Sequence, residues 1–226
     1  SRLLEDEMFR KRAGHAGYRE VMQKHLARHR LHYMFEKIGM RFESFDQPKV
    51  TWAVATNRIN NLDNIATNFK RQKYPNLEMI LALNSDQYSA ADVRARFVGD
   101  SRVKVIQVPE RVSLGGVLNA TIDEMSGDYW MKIDDDDLYF ENYTADMLLP
   151  FRYTDAGIVG KGSYFMYLEG TDETILRFAG REHKYVDFVS GATVAAKRNV
   201  VQKTRFPELE TSEDTNWMKS CLEAGA

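Results

Sequence analysis

From Pro48 onward the chain repeats one unit: a short apolar run, a polar cluster, then a stretch with helical spacing. The runs are Lys49 to Thr56, Leu77 to Leu83, Val103 to Val108 and Tyr129 to Ile133. Between them, Ile59 to Gln72, Ala90 to Phe97 and Leu114 to Met125 carry the helical pattern. Strands that alternate with helices at this interval predict a parallel sheet of the α/β class. In such sheets ligands bind beyond the carboxyl ends of the strands. Three polar clusters fall at those ends: Thr56-Asn57-Arg58, Asn84-Ser85-Asp86 and Asp134 to Asp137.

The last cluster is four adjacent aspartates. Like charges at this spacing raise one another's pKa unless something cationic neutralises them. A divalent metal held through oxygen ligands is the simplest remedy, and Mg²⁺ or Mn²⁺ suits such ligands. The competing reading is a solvated acidic turn, in which the repulsion is screened. Convergence of three polar clusters on one sheet edge favours a site.

After the fourth run the pattern changes. Ala156 to Leu168, Glu173 to Phe178 and Lys184 to Val189 read as strands joined by turns, without crossover helices. They predict a mixed sheet completing the parallel half. Ser190-Gly191-Ala192 is a small, tight turn before a further apolar run, Thr193 to Ala196. Ser212-Glu213-Asp214 reads as the start of a helix running to Glu223, with its acids at the positive end of the helix dipole.

Residues 1–47 read as a helical extension or linker, rich in Arg, Lys and His. Tyr18, Val21, Met22, Leu26, Leu31, Met34, Phe35 and Ile38 offer an apolar face, and Gly39 ends the helix. His25, His29 and His32 are spaced to share one helix face. No cysteine or well-placed carboxylate completes a zinc set, so a polar helix surface is the reading here. Neither end of the sequence looks like a natural terminus, and a fragment of a longer protein is expected.

The 226 residues are 43% hydrophobic, enough to fill one large core. A net charge of −2 gives no argument for nucleic acid as a partner. The single cysteine, Cys221, allows no internal disulfide and fits a reducing, cytoplasmic setting. No apolar stretch approaches the length of a transmembrane segment.

From about Lys49 onward the chain resembles the family 2 glycosyltransferases. Thr56-Asn57-Arg58 looks like the nucleotide-contacting loop after the first strand. Gln72-Lys73-Tyr74-Pro75 resembles the family's Q-x-Y-P helix ending. Leu114-Gly115-Gly116 with Asn119, then Gly127-Asp128-Tyr129, resembles the G…N…G-D-Y approach to the fourth strand. Asp134-Asp135-Asp136 fits D-x-D, Ser190-Gly191-Ala192 the acceptor-facing turn, and Glu213-Asp214 the E-D pair. The resemblance implies a GT-A fold over 48–226, truncated at its C-terminus, with a Rossmann-like half and a mixed central sheet. One departure stands out: the acid expected at the end of the second strand is replaced by Leu83-Asn84-Ser85, with Asp86 just beyond.

What the resemblance implies is an inverting, metal-dependent hexosyltransferase. It moves a sugar from a nucleotide-diphosphate donor, a UDP-sugar foremost, to a hydroxyl of a glycan or other acceptor. Bacterial surface or spore glycan synthesis is the implied context. Thr56, Arg58, Asn84, Asp86, Asn119, Asp134 and Asp135 would line the nucleotide. Asp136, assisted by Asp134, would hold Mn²⁺ or Mg²⁺, with Asp135 and Asp137 supporting or solvated. Asp214 would be the general base and Glu213 its orienting neighbour. Gly191, Ala192 and Trp217 would face the acceptor. Lys132 and Lys161 could be counter-charges but read better as surface lysines, and Trp130 reads as core.

Two other readings compete. A sugar-nucleotide nucleotidyltransferase would need a glycine- and arginine-rich phosphate loop near the first strand, which the sequence lacks. A non-catalytic binding or scaffold module would not need both acidic motifs. Gly17-Tyr18-Arg19-Glu20-Val21 with His25 to Arg30 further resembles the tail of a spore-coat-maturation-type GT-B glycosyltransferase, implying a preceding GT-B module in the parent protein.

Overall fold

The computed structural model describes residues 2–40 and 47–225. The chain divides between Gln47 and Pro48 into two compact units. The first contains α1 (Arg2–Glu5), α2 (Glu7–Glu20) and α3 (Ala27–Lys37), with a π-helical turn at Val21–His25. Asp6 caps α2 by accepting from the Phe9 N–H at 2.9 Å, satisfying one of the helix's orphan donors. Leu26 leaves the helix at φ −68°, ψ 157°, and its N–H donates to His29 Nδ1 at 3.0 Å. This break separates His25 from His29 and His32, so the three do not share one continuous helix face. The expected apolar stripe is likewise partial: Met22 is buried, while Val21, Leu31, Met34 and Ile38 are exposed. Gly39 follows α3 at φ 75°, a conformation that glycine adopts without a steric penalty.

The second unit runs β1 (Val50–Thr56), α4 (Leu62–Lys70), β2 (Leu77–Asn84), α5 (Ala90–Ala95), β3 (Val103–Val108), α6 (Leu114–Glu124) and β4 (Tyr129–Ile133). It continues through α7 (Tyr143–Leu148), β5 (Ile158–Val159), β6 (Tyr164–Leu168), β7 (Glu173–Arg177), β8 (Ala195–Lys197), α8 (Arg198–Lys203) and α9 (Glu213–Glu223). The central sheet has the order β3-β2-β1-β4-β8-β5. Its first four strands are parallel, and β8 and β5 extend it with antiparallel pairings.

Period-two alternation assigns the two faces. Trp52, Val54, Met79, Leu81, Met131 and Ile133 pack with Leu62, Ile65 and Phe69 of α4. Ala53, Ile80, Trp130 and Ala196 pack with Leu118 and Ile122 of α6 and with Trp217, Met218 and Cys221 of α9. Both faces are covered, which is why the strands read as nearly unbroken apolar runs.

Three expectations differ from the structure. β6 and β7 pair with each other in a separate two-stranded ribbon instead of joining the central sheet. Lys184 to Val189 forms no strand; Tyr185 is exposed, and a strand needs a partner's backbone to bond. The helices α7 and α8 were not read from the sequence, because segments this short cannot display a helical period. The strand order places the site. β2 and β3 lie on one side of β1 and β4 on the other, so a crevice opens between the carboxyl ends of β1 and β4.

Candidate active site

At that switch point the end of β1 meets the aspartate run. The Thr56 hydroxyl donates to Asp135 Oδ2 at 2.5 Å and accepts from the Arg58 N–H at 3.0 Å. Arg58 grips Asp135 with two nitrogens, Nε to Oδ2 at 3.1 Å and Nη2 to Oδ1. Its Nη1 lies 3.0 Å from Asp136 Oδ2. A planar guanidinium can serve two carboxylates at once, and a lysine could not reproduce that fork. The hydrogen bond with Asp135, and then that residue's charge, outweigh burial and raise the Arg58 pKa. Asp135 is 3% exposed, so it is neither solvated nor open to a ligand; it anchors Arg58.

The backbone of the run is held from α4. Asn64 Nδ2 donates to the carbonyls of Asp135 and Asp137 at 2.8 and 2.9 Å. Asn68 Nδ2 donates to the Asp137 carbonyl at 2.8 Å, and its Oδ1 accepts from the Tyr139 N–H at 3.1 Å. Gln72 Nε2 donates to the carbonyls of Tyr139 and Phe140 at 3.1 and 2.9 Å. These amides, Asn68 and Gln72 buried and Asn64 half-buried, spend their hydrogen bonds on a loop that would otherwise leave polar backbone unpaired. Sequence reasoning missed Asn64, Asn68 and Tyr139. The signal was present as three carboxamides spaced four apart, Asn64 and Asn68 on α4 and Gln72 just past its end.

On the other side of the run, the Ser190-Gly191-Ala192 turn and the start of α9 close in. The Tyr139 hydroxyl accepts from the Asp134 N–H at 2.9 Å and donates to the Ala192 carbonyl at 2.7 Å. Burial pushes the Tyr139 phenol well above its ordinary pKa, so it stays a neutral bridge. Lys132 corrects the sequence reading: it is buried in β4, with Nζ 2.7 Å from Asp134 Oδ1 and 3.9 Å from Glu213 Oε1. Burial alone would push its ammonium down, but the carboxylates of Asp134, Glu213 and Asp214 hold it above the ordinary value. Burial pushes the Glu213 carboxyl up. Asp214 receives the Thr215 N–H on Oδ1 at 2.6 Å. Its Oδ2 lies against Gly191, where an added Cβ would fall 1.4 Å from that oxygen. Ser212 stands before α9 at φ 62° with no side-chain cap, so Glu213 and Asp214 are not paired with a capping serine there.

Other expected residues are placed differently. Trp217 is fully buried, stacked on Phe206 at 4.6 Å between ring centroids, with its indole N–H on the Thr204 carbonyl. It is core, as Trp130 is, and no face is left for an acceptor sugar. Asn119 spends both ends of its amide on Phe206, donating to its carbonyl and accepting from its N–H, each at 2.9 Å. Gly115 lies so close to Pro207 that a Cβ would fall 1.8 Å from the Pro207 carbonyl oxygen. The G…N pattern therefore docks the segment leading into α9. Asn84 ties the end of β2 to the Pro109 carbonyl at 2.7 Å, and Asp86 accepts from the Glu110 N–H at 3.3 Å. Both stand at the neighbouring strand end and make no hydrogen bond to the aspartate run.

Negative charge at this edge is only partly neutralised. Desolvation and the charges of Asp134 and Asp136 push the Asp137 carboxyl up. The donor set is all oxygen and suits a hard divalent cation such as Mn²⁺ or Mg²⁺. Among the described residues no three metal-binding side chains converge into a ready cage. That matches an ion held by one or two carboxylates, the remainder of its shell being left to phosphate oxygens and water. Asp136, exposed, and Asp134, half-buried, are the carboxylates in position to contribute.

The profile of Glycosyl transferase family 2 matches residues 53–201, more than half of the chain. The chain belongs to glycosyltransferase family 2. Solved structures agree on the fold of this family 2 glycosyltransferase. A mannosyltransferase from Pyrobaculum calidifontis, in complex with GDP-Man and Mn²⁺, superposes with a TM-score of 0.65 at 17% identity, over 86% of this chain and 59% of the other. TarS 1–349 of S. aureus, in complex with UDP-GlcNAc, gives 0.63 at 14% identity, over 76% of this chain and 53% of the other. The chain thus spans little more than half the length of these two structures. No curated protein matches it by sequence. No described helix is long and apolar enough to cross a membrane.

Proposed function

We propose that this family 2 chain transfers a sugar from a nucleotide-diphosphate donor to an acceptor hydroxyl, with inversion at the anomeric carbon. The observation that carries the reading is that Lys132 Nζ, 2.7 Å from Asp134 Oδ1 and 3.9 Å from Glu213 Oε1, brings the aspartate run beside the acidic pair at the start of α9. Asp134 and Asp136 stand at the end of β4, and Asp214 reaches the same edge beside Gly191. The P. calidifontis mannosyltransferase is in complex with GDP-Man and Mn²⁺, and TarS with UDP-GlcNAc. Both support a nucleotide-sugar donor; TarS favours the UDP-sugar of this proposal, and the mannosyltransferase favours a divalent ion.

In this scheme Asp136, with Asp134, would hold Mn²⁺ or Mg²⁺. When bound, the ion supplies Lewis-acid neutralisation of the charge that develops on the leaving group. Asp214 Oδ2 takes the proton from the acceptor hydroxyl. The acceptor oxygen bonds to the anomeric carbon from the side opposite the diphosphate, which departs with the electron pair of the broken C–O bond. Glu213 sets the start of α9, Gly191 leaves room for the Asp214 carboxylate, and the turn it shares with Ala192 faces the acceptor. Arg58 neutralises Asp135 and Asp136. We also retain a GT-B module before this chain, and a glycan acceptor at the bacterial surface or spore, as parts of the proposal.

The test is thermal-shift screening of UDP- and GDP-sugars with and without MnCl₂, followed by donor hydrolysis assays. Stabilisation by a nucleotide sugar that requires the metal supports the reading. Neither stabilisation nor hydrolysis with any nucleotide sugar would leave a binding or scaffold role.

A further inference from the structure

We infer that Lys132 is a positioning residue that ties the donor-side carboxylate Asp134 to the acceptor-side Glu213. The inference rests on the transferase reading above and deepens it, because it concerns how the two halves of that site are held together.

Lys132 lies within β4 among Tyr129, Trp130, Met131 and Ile133, where an apolar residue would pack at lower cost. Its side chain is 7% exposed and that of Glu213 6%, so both charges have left water. Breaking such a pair by removing one partner leaves an uncompensated buried charge. The ammonium occupies Asp134 Oδ1 at 2.7 Å, which fixes the rotamer of that carboxylate. The same nitrogen stands 3.9 Å from Glu213, the first residue of α9 and the immediate neighbour of Asp214. The Lys132 backbone N–H donates to the Val194 carbonyl at 2.9 Å, so the residue is also pinned beside the segment that follows the Gly191 turn. One cation therefore touches the aspartate run and the start of α9, and sits where a shift on either side is felt on the other.

The experiment combines two readouts on Lys132→Met, Glu213→Gln and the double variant. The first is calorimetric affinity for UDP and for GDP in the presence of MnCl₂. The second is the equilibrium constant for unfolding in urea. Lys132→Met is expected to weaken metal-dependent nucleotide binding about tenfold, with Lys132→Arg retaining more of it because it keeps the charge. In the Lys132→Met background, Glu213→Gln is expected to recover about tenfold in the unfolding equilibrium, because the orphaned carboxylate is gone. The double variant, folded, should still bind nucleotide weakly. Additive effects on unfolding overturn the tie. Coupled unfolding with unchanged nucleotide affinity reduces Lys132 to a folding role and overturns positioning. If the wild-type protein binds neither nucleotide with MnCl₂, the transferase reading fails, and the unfolding cycle alone decides whether Lys132 and Glu213 are tied.

Discussion

Gly191 and Asp214 are packed so closely that a single methyl group at Gly191 would fall 1.4 Å from the Asp214 carboxylate. The turn that carries Gly191 is also held from the donor side, through the Tyr139 hydroxyl to the Ala192 carbonyl. Glycine is required here for space, and the space it leaves is filled by the proposed base.

Gly191→Ala should therefore displace Asp214 without touching the aspartate run. Misplacing a catalytic group by about 1 Å costs on the order of 100-fold in rate. Steady-state kinetics should show kcat reduced by that order, with metal-dependent donor affinity within about twofold of wild type. A loss of donor affinity instead would place Gly191 on the nucleotide side.

Asp214→Asn keeps the shape and removes the proton acceptor. Transfer should fall by about 10² to 10⁴, the usual contribution of general base catalysis, while nucleotide binding persists. Unimpaired transfer would assign the base elsewhere.

For Asp136→Ala the expected pattern is reversed. The MnCl₂-dependent thermal shift produced by a nucleotide should disappear. Arg58 would then retain Asp135 alone, and because its contact with Asp136 is exposed, stability should change by less than about 1 kcal/mol.

Trp217→Ala separates a core role from a sugar platform. Removing a fully buried indole should cost about 3–5 kcal/mol in urea denaturation. A variant of near wild-type stability with a raised acceptor KM would restore Trp217 to the acceptor site.

Acid stability should depend on Glu78. Burial would raise its pKa, but hydrogen bonds from Lys49, Ser126 and Thr51 overcome this and lower it from 4.5 to about 2. A carboxylate depressed on folding stabilises the native state fully above its unfolded pKa, and that stability is lost as pH falls through the folded value. The contribution should be complete above pH 4.5 and disappear towards pH 2. Glu78→Gln should be less stable than wild type at pH 7, and the difference should shrink in urea titrations at pH 3.

Much of the second unit was legible because β1, β2 and β4 are buried on both faces. β3 and β4 carry the same limits in sequence and in structure, since an apolar run bounded by polar residues leaves little latitude. Lys184 to Val189 is as apolar as a strand, yet it found no partner. Pairing is a tertiary event, which an apolar run permits without securing. At the site, the sequence ranked Asp135 as a supporting acid and Lys132 as a surface lysine. Both are buried, and each is paired with a residue distant in the chain.

By itself, the sequence determined that four carboxylates emerge from a buried parallel strand and that a second acidic pair opens a late helix. Periodicity and motif order carry that much, because they depend on neighbours along the chain. Only the tertiary structure decided which cation meets which carboxylate. Arg58 takes Asp135 and Asp136, Lys132 spans Asp134 and Glu213, and Asn119 and Trp217 are spent on packing. The reason is range: charge pairing and burial act over a few ångströms of space, and folding alone brings these distant residues within them.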